Sequence, residues 1–277
     1  MDITYDSTSK FVQTSKHRIH INEAGSGSEV VFMLHGSGPG ATGWSNFSQN
    51  IPVLAEHFRV IAVDMPGWGE SDPVTYSGRD HCTDLADLMD ELGVDKAAAV
   101  IGNSMGGGTT VRFGYEHPER VEKLITMGSS SGSASLFGAA GFTEGLKVLQ
   151  KGYRNPTPEV MRELVEVMTF DSSFATDELV QARAEMVAAH PEHNKNFIDG
   201  TGKRAVVELD FAKVRTITAP TLLFHGRDDR VVPFEHSLRL TSLIPDSRLL
   251  LINRCGHWLQ IEHAEEFNRQ VLHFLGK

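Results

Sequence analysis

Short apolar runs rich in β-branched residues alternate with longer helical patterns along most of this 277-residue chain, and that alternation restricts the fold more than any other feature. Residues 30–34, 60–63, 98–101, 123–127, 221–224 and 248–252 read as buried strands, each stopped by Gly, Pro, Asp or Asn. Residues 83–92, 105–116, 235–243 and 265–275 read as helices. A strand, a helix and another strand form a βαβ unit, so the expected architecture is α/β, with a mostly parallel sheet flanked by helices. Ligands on such a sheet sit at the carboxyl ends of its strands.

The alternation fails from about Gly132 to Val207, where three or four helical patterns replace the next strand. Thr157-Pro158-Glu159 starts one, with Pro in the first turn, and Thr176-Asp177-Glu178 starts another. The expected organisation is a core of residues 1–131 and 208–277 interrupted by a helical cap, residues 132–207. Hydrophobic residues make up 40% and charged residues 22% of the chain, enough to bury a core and too apolar for disorder. With a net charge of -10 and no Lys/Arg-rich run, neither nucleic acid nor an anionic membrane is expected as a partner. The N-terminus is polar, and only Cys82 and Cys255 occur, without a CxxC. A cytoplasmic protein without a disulfide framework or cysteine-bound zinc is expected.

Gly102-Asn103-Ser104-Met105-Gly106 fits G-x-S-x-G, a turn that exposes a nucleophilic serine between a strand and a helix. Gly128-Ser-Ser-Ser-Gly132 fits it too. Context favours Ser104, which follows a predicted strand and opens a helix whose glycines allow close approach; Ser130 runs into more Ser, Gly and Ala. A serine needs a base, and the base an orienting acid. Of thirteen histidines, His257 falls in a Gly-containing loop just past a strand, while His17, His20, His57, His117, His193, His263 and His273 read as surface or satisfied core residues. Asp228 and Asp229 follow another strand, and the order Ser104, Asp229, His257 is the nucleophile–acid–histidine order of α/β-hydrolases.

A competing motif precedes them. Gly38-x-Gly40-x-x-Gly43 matches a dinucleotide-binding turn, and Asp64 ends the next strand. However, the chain leaves its strand through His35-Gly36-Ser37 first, and Pro39 lacks an N–H where a phosphate would need one. An HG-type loop that supplies an oxyanion-hole N–H accounts for the same residues.

Four stretches together resemble the meta-cleavage product hydrolases, carbon–carbon bond hydrolases of bacterial aromatic degradation within the α/β-hydrolase superfamily. They are His35-Gly-Ser-Gly-Pro-Gly-Ala-Thr-Gly-Trp-Ser-Asn46, Gly102-Asn-Ser-Met-Gly-Gly107, His225-Gly-Arg-Asp-Asp-Arg-Val-Val-Pro233 and Cys255-Gly-His-Trp258. Position 37 is Ser where some relatives with biphenyl-type substrates carry Gly. The resemblance implies hydrolysis of 2-hydroxy-6-oxohexa-2,4-dienoates to 2-hydroxypenta-2,4-dienoate and a carboxylic acid, with the C6 substituent open. It implies Ser104, His257 and Asp229 as the triad and the N–H groups of Gly38 and Met105 as the oxyanion hole. Ser37, Asn46, Asn103, Ser173, Arg183 and Trp258 would surround the substrate. No metal or organic cofactor is implied, and a homodimer or higher homo-oligomer is expected; a carboxylesterase using the same triad is the alternative.

One feature supports a carboxylate-bearing substrate independently. Leu179, Arg183 and Val187 recur at i, i+4 and i+8, which sets Arg183 inside an apolar helical stripe. A charge there is costly unless paired. Pairing with Glu166 or another cap acid would satisfy it; so would a substrate carboxylate, which fits the fork of a guanidinium.

Overall fold

The computed structural model describes residues 2–131, 141–200 and 209–277. Eight strands form one sheet: β1 (Ser9–Gln13), β2 (Arg18–Ala24), β3 (Val30–Leu34), β4 (Arg59–Val63), β5 (Ala97–Asn103), β6 (Val121–Met127), β7 (Thr221–Gly226) and β8 (Ser247–Ile252). The spatial order is β1-β2-β4-β3-β5-β6-β7-β8. β1 and β2 pair antiparallel, β2 joins β4 antiparallel, and every later pair is parallel.

The near-continuous apolar runs follow from burial on both faces. Along β3, Val30, Phe32 and Leu34 enter the cluster that also holds Leu85, Leu88, Val111 and Phe113 from helices His81–Glu91 and Met105–Glu116. Val31 and Met33 point the other way, into a cluster with Phe47, Leu54, Phe267 and Val271. The result is three layers with the sheet in the middle. A side chain such as Phe32, fully buried, contributes about 1.5–3 kcal/mol by leaving water.

Register brings the strand ends together. Leu34 pairs with Gly102, Asn103 with Met127, Met127 with Phe224, and Gly226 with Ile252. The loops that follow β3, β5, β7 and β8 therefore leave along one edge, and these are the loops that carry Gly36–Gly40, Ser104, Asp229 and His257.

Between β6 and Gly200 the described residues form four α-helices, Glu144–Arg154, Pro158–Met168, Asp177–Ala189 and Pro191–Gly200, with a 3-10 turn at Ser172–Phe174, and a short fifth helix, Phe211–Val214, precedes β7. Thr143, Thr157 and Thr176 cap the first three, each accepting a backbone N–H. The expected cap boundaries at 132 and 207 lie outside the described residues. No helix of the described residues is long and apolar enough to cross a membrane.

Candidate active site

Ser104 holds the turn between β5 and the helix Met105–Glu116 at φ 53 and ψ -110, a left-handed backbone that a side chain adopts at a cost. The turn is tight because glycines allow it. A Cβ on Gly106 would lie 2.2 Å from the Leu34 carbonyl oxygen, and one on Gly102 2.2 Å from that of Gly106. The Ser104 N–H donates to Met127 O at 2.8 Å. Ser130 shows no such backbone: among the described non-glycine residues, only Ser104 and Arg254 have positive φ.

His257 is buried at 3% exposure. Its Nδ1 lies 2.7 Å from Asp229 Oδ2. A carboxylate only accepts, so Nδ1 carries the proton and Nε2 is left with the lone pair. The backbone of His257 is tied down as well, its N–H donating to Met168 O at 2.7 Å and its carbonyl accepting from Asn103 Nδ2 at 3.3 Å. Asp229 Oδ1 accepts the N–H groups of Val231 and Val232 at 2.7 and 2.9 Å. Burial alone would raise the Asp229 pKa, but the imidazoles of His257 and His225 outweigh it and hold the carboxyl well below the usual range. Asp228 points elsewhere, accepting the Arg254 N–H at 2.9 Å.

His225 has no role in the sequence reading, although its motif was singled out. Its Nε2 lies 2.8 Å from Val232 O and 3.2 Å from Asp229 Oδ2, and its Nδ1 lies 2.7 Å from Ser237 Oγ. Asp229 thus sits between two imidazoles. Its spacing four residues before Asp229, on the last turn of a buried strand, was the available signal. Gly128 is another such position: at φ 57, a Cβ there would come within 2.8 Å of His257 Nδ1.

A cavity of about 380 Å³ joins these groups. Ser104, Met105, His257 and Trp258 line it with Ser37, Gly38, Asn46, Asn103 and Arg183. Thr42 caps the short helix Gly43–Phe47 and Ser45 reciprocates, which turns Asn46 inward. Asn46 Oδ1 accepts the Gly36 N–H at 3.5 Å. Asn103 Oδ1 is buried with no hydrogen-bond partner. Leu146, Leu149, Phe142, Met168, Val231 and Val232 supply an apolar remainder.

Arg183 is 2% exposed in the helix Asp177–Ala189. Its Nη2 donates to Pro39 O at 3.0 Å, its guanidinium carbon stands 5.2 Å from the centre of the Trp258 ring, and its Nε has no partner. Glu166 does not reach it; among the described residues it has no carboxylate within salt-bridge distance. Burial pulls its pKa down to about 10, so it remains a cation at neutral pH. The cavity therefore holds a positive charge for which the described residues provide no counter-ion.

One expected site residue, Ser173, stands outside the cavity, and another, Gly38, lies against Arg183. Ser173 is exposed in the 3-10 turn, its N–H donating to Asp171, and it does not line the cavity. Gly38 lines the cavity but faces Arg183: a Cβ there would lie 2.9 Å from Arg183 Nη2, whereas one on Gly36 would lie 3.1 Å from Ser104 Cβ. Gly36 therefore abuts the serine, and Gly38 and Gly40 abut the arginine. The N–H of Met105, at the first position of its helix, has no intrahelical acceptor.

The dinucleotide reading fails on geometry. Asp64 is consumed within the core, Oδ1 accepting the Gly43 N–H at 2.7 Å and Oδ2 lying 2.9 Å from His20 Nδ1. A Cβ on Gly40 would lie 2.4 Å from Arg183 O, so the glycine loop is packed against the inserted helix and not open to a phosphate.

This sheet, its serine elbow and its acid–histidine pair define a serine hydrolase of the α/β-hydrolase class, and a family model described as alpha/beta hydrolase fold matches residues 29–264. The chain is 44% identical over 283 residues to the 2-hydroxy-6-oxononadienedioate/2-hydroxy-6-oxononatrienedioate hydrolase of Cupriavidus pinatubonensis, covering 99% of this chain and 97% of that one. It is 44% identical over 284 residues to the 2-hydroxy-6-oxo-6-phenylhexa-2,4-dienoate hydrolase of Burkholderia cepacia, with 99% and 98% covered. Among solved structures, the meta-cleavage product hydrolase of Pseudomonas fluorescens IP01 superposes with a TM-score of 0.84 at 33% identity over 96% of both chains. Within the α/β-hydrolases, the chain belongs to the meta-cleavage product hydrolases.

Proposed function

We propose that the chain hydrolyses the C5–C6 bond of 2-hydroxy-6-oxohexa-2,4-dienoates, giving 2-hydroxypenta-2,4-dienoate and a carboxylic acid. The observation that carries this reading is Arg183: a buried cation without a counter-ion among the described residues, in the same cavity as Ser104 and His257. An ester substrate gives that charge nothing to bind. A dienoate brings a C1 carboxylate, with Trp258 beside the arginine and Ser37, Asn46 and Asn103 lining the same cavity.

The C2 enol first passes its proton to C5, leaving a 2-oxo group conjugated with the C3–C4 alkene. The arginine favours this step by drawing negative charge toward C1 and C2. Ser104, giving its proton to His257 Nε2, then attacks the C6 carbonyl. Asp229 holds the imidazole in the tautomer that can accept. The developing oxyanion meets the Met105 N–H, and we assign the second donor to Ser37 N–H rather than Gly38, because the loop approaches Ser104 at the adjoining Gly36 while Gly38 lies against Arg183. As the C5–C6 bond breaks, its electron pair passes through C4 and C3 to the 2-oxo group, which takes up the proton held by His257 and leaves as the dienol, returning the imidazole to its neutral form. Water, deprotonated by His257, releases the acid from Ser104.

The helices between β6 and β7 act as the cap, residues 132–207 in the full reading, because Arg183, Leu149 and Met168 come from them while the triad comes from core loops. We also take the chain to be a cytoplasmic homo-oligomer. Two buried unpaired cysteines suit a reducing compartment, and light scattering would measure the oligomer.

The test is decay of the yellow dienolate absorbance across ring-fission products that differ at C6, run beside p-nitrophenyl esters. Arg183→Gln should lower kcat/KM on a dienoate by about 2–5 kcal/mol and barely alter ester hydrolysis; Lys should rescue only in part, keeping the charge and losing the fork. Equal losses on both substrates would make Arg183 a structural residue of the cap.

A further inference from the structure

The helices Asp177–Ala189 and Pro191–Gly200 meet at His190-Pro191-Glu192-His193, and this joint rests on the core loop at Gly69-Glu70. His193, expected from sequence to be a satisfied residue, is only half so. It is buried at 6% exposure, and its Nε2 lies 3.1 Å from the Gly69 carbonyl oxygen. A carbonyl only accepts, so Nε2 carries the proton and Nδ1 the lone pair. That Nδ1 is buried with no hydrogen-bond partner. Orphaned acceptors of this kind are costly and rare.

His190 repeats the pattern. Its Nε2 lies 3.5 Å from Glu70 Oε2, and its Nδ1 lies 3.7 Å from Glu192 Oε1. One ligand atom from each of His190, Glu192 and His193 lies within 4.8 Å of the other two. The two rings are 5.3 Å apart and 19° from parallel. Two imidazoles on one tetrahedral ion, with metal–nitrogen distances near 2.1 Å, would hold their ring centres about 5 Å apart. Metal-binding histidines also give their remote N–H to a carboxylate or a backbone carbonyl. Here Glu70 and Gly69, adjacent in one core loop, stand at those two remote nitrogens. An ion pair between protonated His190 and its two glutamates would account for His190 and leave the His193 lone pair unanswered.

We propose that His190, Glu192 and His193 bind one divalent transition-metal ion, with Zn²⁺ the best fit and water completing the shell. Two imidazoles and one carboxylate suit Zn²⁺, Ni²⁺ or Cu²⁺, whereas Ca²⁺ and Mg²⁺ seek oxygen shells. Closing the ligand atoms onto a tetrahedral ion requires separations of about 3.3 Å, and the Glu192 side chain, 45% exposed, can swing to provide this. None of these residues lines the cavity that holds Ser104. The ion would therefore fasten the inserted helices to the core through Gly69 and Glu70, without a part in bond cleavage.

Calorimetric titration of ZnCl₂ into the chelator-treated full chain tests this. One ion per chain is expected, with a rise in Tm, and Co²⁺ should give the visible absorption of a tetrahedral site. His193→Ala should weaken binding at least 100-fold, as should Glu192→Gln, whose exposed side chain makes a folding defect improbable. Glu70→Gln should weaken it by about 10–100-fold through the lost orienting bond, and the exposed His273→Ala should leave it unchanged. The Tm of each metal-free variant separates lost folding from lost binding. Absence of Zn²⁺ binding at neutral pH, or equal affinity in Glu192→Gln and the parent chain, would overturn the proposal.

Discussion

The proposed nucleophile is the residue at which chemistry and strain would coincide. Ser104 occupies a backbone region unfavourable to any side chain, in a turn with no spare room, and among the described residues the second G-x-S-x-G serine lacks that backbone. Ser104→Ala removes one oxygen and little volume, so it should abolish turnover while leaving the fold and substrate binding in place. Loss of a triad serine costs about 10⁴-fold or more. Single-turnover assays and a binding titration check both halves, with Ser130→Ala as the active control; turnover within tenfold of the parent would remove Ser104 from its role. The two aspartates offer a finer comparison. Asp229 reaches His257, whereas Asp228 is engaged with the Arg254 N–H. Asp229→Asn should lower kcat by orders of magnitude, because an amide can donate and so permits the wrong tautomer. Asp228→Asn should have a much milder effect, and kcat for the two variants is the decisive comparison.

At the scale of elements, glycine controls how closely the catalytic helix approaches the sheet. Gly106→Ala would drive a methyl group onto the Leu34 carbonyl, a backbone atom that cannot move aside. We expect a loss of about 1–3 kcal/mol, the usual cost of overpacking, together with a fall in kcat, since Ser104 shares the turn. Urea unfolding and steady-state kinetics would show both; a stable variant with normal kcat would mean the helix can retreat. The parallel strands were legible because burial on both faces writes unbroken apolar runs: β3 was read as Val30–Leu34, the span observed. β1 and β2 were not legible. β2 buries His20 and Asn22 among its isoleucines, and β1 is a half-exposed edge, so neither shows an apolar run. Ser104, Asp229 and His257 stood out in the sequence because each follows a strand, and the structure pairs the last two. Ser173 falls outside the cavity because loop direction depends on packing from across the cavity, which adjacent residues do not encode. His193 was passed over for the same reason: only Gly69, far away in sequence, shows which nitrogen is left bare.

For the whole molecule, buried histidines kept neutral make stability depend on pH in a defined direction. His35 joins the oxyanion loop to the loop after β4, its Nδ1–H donating to Gly36 O at 2.8 Å and its Nε2 accepting the Met65 N–H at 2.9 Å. Both nitrogens are used in the neutral form, and protonation would break the second bond. Burial pulls its pKa down to about 4 from 6.5. Between those values the unfolded chain binds a proton that the folded chain refuses, so stability must fall as pH falls from 6.5 toward 4. The span corresponds to about 3 kcal/mol. His193 and His236 are lowered chiefly by burial and add to the same slope. Glu262, raised by burial, opposes it. Below about 3.8 a second loss begins, as Asp229, depressed by His257 and His225 against its burial, must take up a proton to be accommodated in acid. Urea midpoints measured from pH 8 to 4 should therefore decline through the upper window, and His35→Gln should flatten that decline at the expense of stability at pH 8. A midpoint that held steady from 6.5 to 4, or an unchanged slope in His35→Gln, would show that His35 does not link the two loops as a neutral imidazole.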